Sequence, residues 1–415
     1  MNTLRKILSL VVLDRISGPV NKFLNPSQSG FIPGRSTADV VWSHRWLCAM
    51  CQKHKEEISI LGIDLSRAFD TINRKKLMHV LEGILDGDAL RMIRFLLANT
   101  SLSVRVGNYT SMKFKTDTGV PQGDSLSPVL FIIYLEAALR PLRRNKCFTN
   151  VMEVIYADDI DFVSRDQDSL ENLLKVIPHS LKDWSLVINP DKTERTTISR
   201  LGTRNEEKWR TCKKVGSLLG DSEDVIRRKV LAVASFKKMW TIWKRRKYIG
   251  TRLRIRLYNS FVELILLYNA GTWGLTAKEL EQLNSFHRKQ LRLLLGIHWP
   301  KKMTNNELYR ITHTSEIAKK VMFTKWMLFG HVLRASEMTP ANQNMESYFC
   351  SLNKTAYRGR QKTTLPTTLD HDLTSIGRKL KSADDLDELR YLARNRGAWI
   401  RLTERILSRM AKVES

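Results

Sequence analysis

The sequence predicts an α+β fold in which strands and helices mix in the first half and helices fill the second. Two observations lead to this prediction. Short apolar runs of strand length, at residues 58–63 and 151–155, alternate with longer helical patterns up to about residue 220. Beyond that point the pattern is helical to about residue 334. We therefore expect a mixed region at 1–220, a basic helical region at 221–334, and a linker with a C-terminal helical region at 335–415.

Each element of the mixed region has a local signal. Residues 1–56 are expected to be mostly helical around a loop rich in Gly and Pro at 27–36. The Ile-rich run 58–63 predicts a buried strand that ends at Asp64. The other expected elements are a helical run at 74–99, strands at 103–106 and 113–116 around a Gly107-Asn108 turn, a loop and helix at 118–139, a tight hairpin at 151–164, a helix at 168–184, and a turn and strand at 187–198.

The second half begins with a strongly basic segment. Residues 225–262 contain twelve Lys and Arg and no Asp or Glu. The Trp and Tyr residues among these cations are Trp240, Trp243, Tyr248 and Tyr258. This mixture predicts contact with a nucleic-acid backbone, and a solvated helix face is the alternative. Farther on, Pro and Gly residues predict a loop or linker at 335–370, followed by a helix at 383–410.

The overall charge points the same way. The chain has 69 Lys and Arg against 42 Asp and Glu, a net charge of +27 and a pI near 10.0. Such an excess predicts a polyanionic partner, with nucleic acid first and an anionic membrane surface second. No run approaches the roughly 18 apolar residues of a membrane-spanning helix.

The CxxC at Cys48 and Cys51 has no second pair, so two thiols in a reduced, intracellular protein are expected rather than a zinc site.

Two acidic sites interrupt apolar strands. Asp64 follows the run ISILGI, and Asp158-Asp159 lies between EVIYA and IDFV. Carboxylates in such surroundings are costly unless a cation compensates them. If the two strands are neighbours, the three carboxylates converge into a hard-oxygen site suited to Mg²⁺. For the tripeptide alone, an ordinary acidic turn is the simpler interpretation.

Six segments, in this order, resemble motifs of the reverse transcriptases of non-LTR (LINE-type) retrotransposons. They are QSGFIPGRST at 28–37 (fingers block), IDLSRAFDTINRKKL at 63–77 (motif A), TGVPQGDSLSPVLF at 118–131 (motif B), YADD at 156–159 (motif C), LVINPDKTE at 186–194 (motif D) and VGSLLGD at 215–221 (primer-grip block). One match could arise by chance, whereas the ordered set is specific. The resemblance implies a right-hand polymerase with partial fingers, a palm with an antiparallel sheet, and a helical thumb.

The same resemblance implies an RNA-directed DNA polymerase that extends a DNA primer with dNTPs on an RNA template. Asp64, Asp158 and Asp159 would be catalytic residues and ligands of two Mg²⁺ ions, with Mn²⁺ as an alternative. Two such ions suit phosphoryl transfer because one activates the attacking hydroxyl and the other stabilises the leaving oxygen. Asp70 is expected to cap the helix after motif A rather than to bind metal, and Asp161 carries less weight as a ligand.

Substrate-binding roles are implied for residues around these carboxylates. Phe69 would lie under the sugar of the incoming nucleotide and disfavour a 2′-OH, although a core Phe is the usual interpretation of this residue type. Arg35 would contact the nucleotide or the template strand, with a solvated loop Arg as the alternative. Gln122 would hydrogen-bond the template or nucleotide, and Gly123 would let the backbone approach it. Lys192 would protonate the leaving pyrophosphate, unless it is an ordinary exposed Lys.

The chain departs from the family at its start, because it begins just before the fingers block and so resembles an N-terminally truncated copy. No nuclease motif is evident. Three functions therefore remain open: an active polymerase, a catalytically inactive nucleic-acid-binding remnant, and a maturase-like splicing factor. The expected location is the nucleus, the cytoplasm or both, and the sequence predicts no oligomeric state.

Overall fold

A computed structural model of the chain describes residues 3–98, 100–200, 206–245, 247–350 and 362–413. They form two compact units. The first comprises Met1–Val40 and Glu57–Thr197, and the second comprises Val41–Glu56 and Ile198–Ser415. This division follows the packing of the chain, whereas the expected boundaries at residues 220 and 334 concern functional regions and stay predictions.

The first unit combines helices with antiparallel strands, which confirms the α+β class. In chain order its elements are α1 (Thr3–Phe23), α2 (Thr37–His54, which continues into the second unit), β1 (Ile58–Ile63), β2 (Leu65–Ser66), α3 (Arg74–Glu82), α4 (Gly87–Leu97), β3 (Ser101–Leu102), β4 (Arg105–Val106), β5 (Tyr109–Thr110), β6 (Phe114–Lys115), α5 (Ser127–Arg143), β7 (Met152–Tyr156), β8 (Asp159–Ser164), α6 (Gln167–Asp183), β9 (Val187–Ile188) and β10 (Glu194–Ile198).

A four-stranded sheet with the order β10-β1-β8-β7 lies at the centre of this unit. Strand β8 pairs antiparallel with both β1 and β7. Nearly every residue of β1 and β8 is buried, as expected of strands with both faces covered. Helix α5 is buried on almost all sides, so it serves as the central helix of the same hydrophobic core. The sheet therefore holds the ends of β1 and β8 in fixed positions.

In its described residues beyond 198, the second unit consists of helices and one short antiparallel pair of strands. Beyond residue 198 its elements are β11 (Lys213–Lys214), β12 (Ser217–Leu218), α7 (Asp221–Lys238), α8 (Trp240–Lys244), α9 (Thr251–Tyr258), a π-helical segment (Asn259–Glu263), α10 (Leu264–Leu266), α11 (Ala277–Leu295), α12 (Asn305–Thr312), α13 (Ile317–Arg334), α14 (Pro340–Phe349), α15 (Leu365–Thr374), α16 (Ala383–Arg394) and α17 (Arg396–Val413). Among the described helices, none combines the length and apolar composition needed to span a bilayer.

Large aromatic side chains fill the interior of the second unit. Trp399 donates from its indole nitrogen to the Trp326 carbonyl at 2.7 Å. A Cβ on Gly330 would come within 2.2 Å of the Trp399 ring, so this helix position has room for glycine alone. Cys48 and Cys51 of α2 are buried thiols, and burial raises the pKa of Cys48 to about 12. The structure thus confirms two buried thiols on a helix at the CxxC.

The structure corrects the helical run expected at 74–99. It is two helices, because α3 ends at Gly83 and α4 begins after Asp86, whose side chain accepts two backbone N–H bonds. The N-cap of α3 is Asn73 and not Asp70, since the Asn73 side chain accepts the N–H groups of the first turn. Asp70 instead accepts a hydrogen bond from Gln122 at 3.1 Å.

The linker expected at 335–370 is also corrected. Pro340 stands in the first turn of α14, where a missing N–H costs nothing, and Pro366 stands likewise in α15. These prolines therefore begin helices, while residues 351–361, which include Gly359, lie outside the described part.

The helix expected at 383–410 is two helices, α16 and α17. The strands expected at 103–106 and 113–116 are replaced by two shorter pairs, β3 with β6 and β4 with β5.

Candidate active site

The acidic pair lies in the turn of the β7–β8 hairpin. Ala157 adopts a left-handed backbone conformation there, with φ of +57°, and Asp158 and Asp159 follow it. Ile63, the last residue of β1, pairs with the second residue of β8. Asp64 comes next in the chain, so the register brings it to the end of the sheet that carries the acidic turn.

The charges at this end of the sheet interact. Lys192 Nζ lies 3.2 Å from Asp64 Oδ2. Burial raises the pKa of Asp158, and the negative charge of Asp64 raises it further. A backbone N–H and the charge of Lys192 act in the opposite direction. Partial burial and the neighbouring carboxylate thus both disfavour the ionised form of Asp158. A cation at this position would stabilise the ionised carboxylates.

Asp159 is exposed at the start of β8, and Asp161 is buried within the strand. In the part of the chain that the structure describes, no three His, Cys, Asp or Glu side chains are arranged to hold a metal ion. The structure therefore brings Asp64 and Asp158 into electrostatic contact and leaves the third predicted carboxylate beside them.

Gln28 is the first residue of the fingers block, and the motifs assign it no role. Its side chain hydrogen-bonds the backbone of the acidic turn. Its Oε1 accepts the backbone N–H of Gly30 at 2.7 Å and that of Ala157 at 2.9 Å. Its Nε2 donates to the Ala157 carbonyl at 3.3 Å. The Ser29 N–H donates to the Ile155 carbonyl, and the Ile155 N–H donates to the Ser27 carbonyl, so backbone bonds join the same two segments. A Cβ on Gly30 would lie 2.3 Å from the Ala157 nitrogen, which explains the glycine in the fingers block.

The loop between strand β6 and helix α5 lies against the turn of motif A that contains Asp70. Gly119 has φ of +73°, and a Cβ there would meet the Asp70 carbonyl at 2.8 Å. Gln122 is exposed and donates to Asp70, and Gly123 has φ of +83° with open space around it. Both residues are accessible to a ligand, as their predicted roles require.

Phe69 and Arg35 are each engaged within the protein. Phe69 is half-buried, with its ring centroid 4.6 Å from that of Phe131. Arg35 donates to the carbonyls of Pro26 and Gln28, at 2.6 and 2.5 Å. Burial lowers the pKa of Arg35, with the charge of Asp39 acting against it. The Arg35 guanidinium thus braces the fingers-block loop, and its contact with a nucleotide stays a prediction.

The basic segment 225–262 is only partly available for a ligand. Trp243 and Tyr258 are buried in the core, contrary to the expectation of aromatics interleaved on a binding face. Trp240 is partly exposed and Tyr248 strongly so. Among the described residues of the segment, seven cations are exposed: Lys237, Lys238, Lys244, Arg245, Lys247, Arg252 and Arg256.

The primer-grip block forms the β11–β12 hairpin, whose turn residues Val215 and Gly216 both have positive φ. Arg227 and Arg228 donate to the Gly216 carbonyl, and the Tyr268 hydroxyl donates to the Val215 carbonyl at 3.1 Å. The turn is therefore held by hydrogen bonds from α7 and from the turn that follows α10.

Comparisons with known proteins identify the family of the chain and several relatives. Residues 1–250 match the reverse transcriptase (RNA-dependent DNA polymerase) family. The RNA-directed DNA polymerase from mobile element jockey of Drosophila funebris is 24% identical over 333 residues, 72% of this chain and 35% of that protein. The Pol polyprotein from type-2 retrotransposable element R2DM of Drosophila melanogaster is 25% identical over 197 residues, 45% of this chain and 18% of that protein. Apo telomerase from Candida tropicalis aligns over 83% of this chain and 60% of its own, with 13% identity and a TM-score of 0.43.

Proposed function

Because the chain belongs to the reverse transcriptase (RNA-dependent DNA polymerase) family, we propose that it extends a DNA primer with dNTPs on an RNA template, as part of a non-LTR retrotransposon. The chain spans only 35% and 18% of the length of the two curated relatives compared above, so its own activity is a proposal. One observation supports it most: Asp64 and Asp158 interact at the end of two paired strands, with Lys192 beside them.

The donor chemistry of this site fits Mg²⁺. Carboxylate oxygens are the ligands that Mg²⁺ prefers, and burial together with the charge of Asp64 raises the pKa of Asp158, so a bound cation would stabilise its ionised form. Asp64 and Asp158 would hold the cation, with Asp159, the next residue in the chain, as the third proposed ligand. When bound, Mg²⁺ would activate the primer 3′-hydroxyl and stabilise the leaving oxygen of pyrophosphate.

The chain's own residues would bind and orient the substrates. Lys192 neutralises Asp64 and carries the proton that the leaving pyrophosphate needs. Gln122 and the open backbone at Gly123 would contact the template strand or the nucleotide base. Phe69 would pack against the deoxyribose, where a 2′-OH would clash with the ring.

Primer extension on an RNA template with dNTPs and Mg²⁺ tests this proposal. The wild-type chain, Asp158→Asn and Asp159→Asn are compared, with Asp168→Asn as a control, because Asp168 is an exposed carboxylate on α6 outside the site. We expect the wild type and the control to extend the primer and each site variant to lose at least about 100-fold in rate.

Equal extension by Asp158→Asn and the wild type would refute the assignment of the site. Absence of extension by every protein, with salt-sensitive primer–template binding retained, would refute the polymerase and leave a nucleic-acid-binding remnant.

A further inference from the structure

Residues 101–116 form a protruding two-stranded ribbon, called the arm here. Strand β3 pairs with β6 and β4 with β5, around a turn at Gly107, which has φ of +61°. From residue 101 to 115, every described side chain is exposed. An isolated two-stranded hairpin is marginally stable in water, so the arm needs either a firm root or a ligand.

One face of the arm carries large apolar and aromatic side chains. Val106 lies opposite Tyr109, and residues opposite each other in an antiparallel pair share a face. The side of the ribbon that runs from Tyr109 to Lys115 has one more residue than the opposite side, and this extra residue lies before Phe114. Phe114 pairs with position 102 and therefore lies on the same face as Val106 and Tyr109. Tyr109 is 85% exposed, Val106 72% and Phe114 48%. Exposed apolar patches of this kind mark interaction sites.

The charge of the arm indicates the chemistry of its ligand. Arg105, Lys113 and Lys115 are exposed, and residues 101–116 contain no Asp or Glu. A protein surface that binds the arm through its apolar face alone would not require this one-sided charge. Cations interleaved with accessible aromatic rings instead suit single-stranded nucleic acid, because bases stack on the rings while phosphates pair with the cations.

The root of the arm is tied to the loop predicted to meet the template. Arg74 donates to the Thr100 hydroxyl and to the Thr116 carbonyl, both at 2.8 Å, so it joins the two ends of the arm. The same guanidinium donates to the Gly119 carbonyl at 2.7 Å, three residues before Gln122. A strand that passes the Gln122 loop therefore lies near the base of the arm.

We propose that the arm binds the unpaired template strand, with bases stacked on Tyr109 and Phe114 and phosphates paired with Arg105, Lys113 and Lys115. The proposal rests on the proposed function for the identity of the strand. The binding itself requires no catalysis, so it is testable whether or not the chain extends a primer.

The test is the affinity of the full chain for two labelled primer–template duplexes, measured by fluorescence anisotropy without dNTPs. One duplex has a 5′ single-stranded template overhang and the other is blunt. The double variant Tyr109→Ala/Phe114→Ala is compared with the wild type. Phe95→Ala is the control, because Phe95 is 71% exposed on α4 and lies outside the arm.

We expect the double variant to lose about 10-fold or more in affinity for the overhang duplex and to keep its affinity for the blunt duplex. In the triple variant Arg105→Ala/Lys113→Ala/Lys115→Ala, the salt dependence of overhang binding should fall by about 2 in log–log slope. The exposed positions predict unchanged melting temperatures, so loss of folding would not mimic either result.

Unchanged affinity for the overhang duplex in both variants would overturn the proposal, and an equal loss on both duplexes would assign the arm to paired nucleic acid instead. Loss of self-association by the double variant, measured by light scattering, with nucleic-acid affinity unchanged, would assign the arm to a second copy of the chain. Wild-type overhang binding that depends on the arm, in a chain that extends no primer, would retain this inference and refute the polymerase.

Discussion

Substitution of Gln28 by Met tests whether the fingers block holds the acidic turn at 157–159 in the position that the proposed function requires. Met preserves the length of the side chain and removes all three hydrogen bonds. The backbone N–H groups of Gly30 and Ala157 would then lose their acceptor in a region where Gln28 itself is only 3% exposed. Each unsatisfied buried donor costs about 1–3 kcal/mol, so the native conformation of the turn would be less stable by about 2–6 kcal/mol.

The kinetic consequence follows from geometry. Asp158 is the residue after Ala157, so a looser turn moves its carboxylate relative to Asp64. A misplacement of about 1 Å in a reacting group can cost about 100-fold in rate. We expect Gln28→Met to lower the rate of single-nucleotide incorporation by about 10–100-fold and to leave primer–template affinity within about 2-fold of the wild type. Gln28→Glu, which keeps the acceptor for both N–H groups, should give a smaller defect.

Rapid-quench incorporation and amide hydrogen exchange at Ala157 measure the two effects. Gln52→Met is the matched control, because Gln52 is an equally buried Gln that donates to Glu207 in the second unit. The control should lower stability without slowing incorporation by the folded fraction. Wild-type incorporation rates in Gln28→Met, together with accelerated exchange at Ala157, would show that the turn does not depend on this clamp for catalysis.

Three further variants probe separate parts of the chain. The raised pKa of Asp158 means that its ionisation opposes folding, so stability declines as pH rises through the interval from the ordinary pKa to the raised one. Asp158→Asn should accordingly raise the melting temperature in metal-free buffer near neutral pH, by about 2–4 °C for each kcal/mol relieved, and a lower value than wild type would contradict this. Phe69→Ala should increase ribonucleotide incorporation relative to deoxyribonucleotide, measured by competition on one template, and an unchanged ratio would return Phe69 to a packing role. Arg45→Met removes a buried guanidinium that lies 3.3 Å from Asp221 and beside a second aspartate of α7, and should cost about 3–5 kcal/mol in urea unfolding, whereas a cost below about 1 kcal/mol would show that the aspartates find other partners.

The sequence predicted those parts of the site whose signals are local. An apolar run followed by Asp64, and an acidic pair between two apolar runs, define strand ends without knowledge of the rest of the chain. The sequence does not show that those two strands are neighbours in the sheet, because pairing between segments about 100 residues apart has no local sequence signal. Gln28 was missed for the same reason, since its partner Ala157 is 129 residues away and any single Gln in a loop is compatible with exposure.

The errors have a similar origin. On the sequence alone Pro340 predicts a linker, although proline favours the first turn of a helix as readily as a loop. The segment around it forms α14, one face of which is buried in the second unit. Composition alone predicts ligand-facing positions for Trp243 and Tyr258, yet composition does not say which side of a helix faces the core.

The net charge of the chain is larger than the number of cations that are available to contact phosphate groups. Some of its arginines neutralise the protein's own backbone carbonyls and carboxylates. Within 225–262, Arg228 donates to the Gly216 carbonyl and lies beside Asp224, and Arg254 donates to the Leu294 carbonyl, so both are buried and unavailable to a polyanion. The salt dependence of binding counts only the cations that displace counterions from nucleic acid. The twelve cations of the sequence are therefore an upper limit for this segment, and the exposed ones set the slope that a titration would measure.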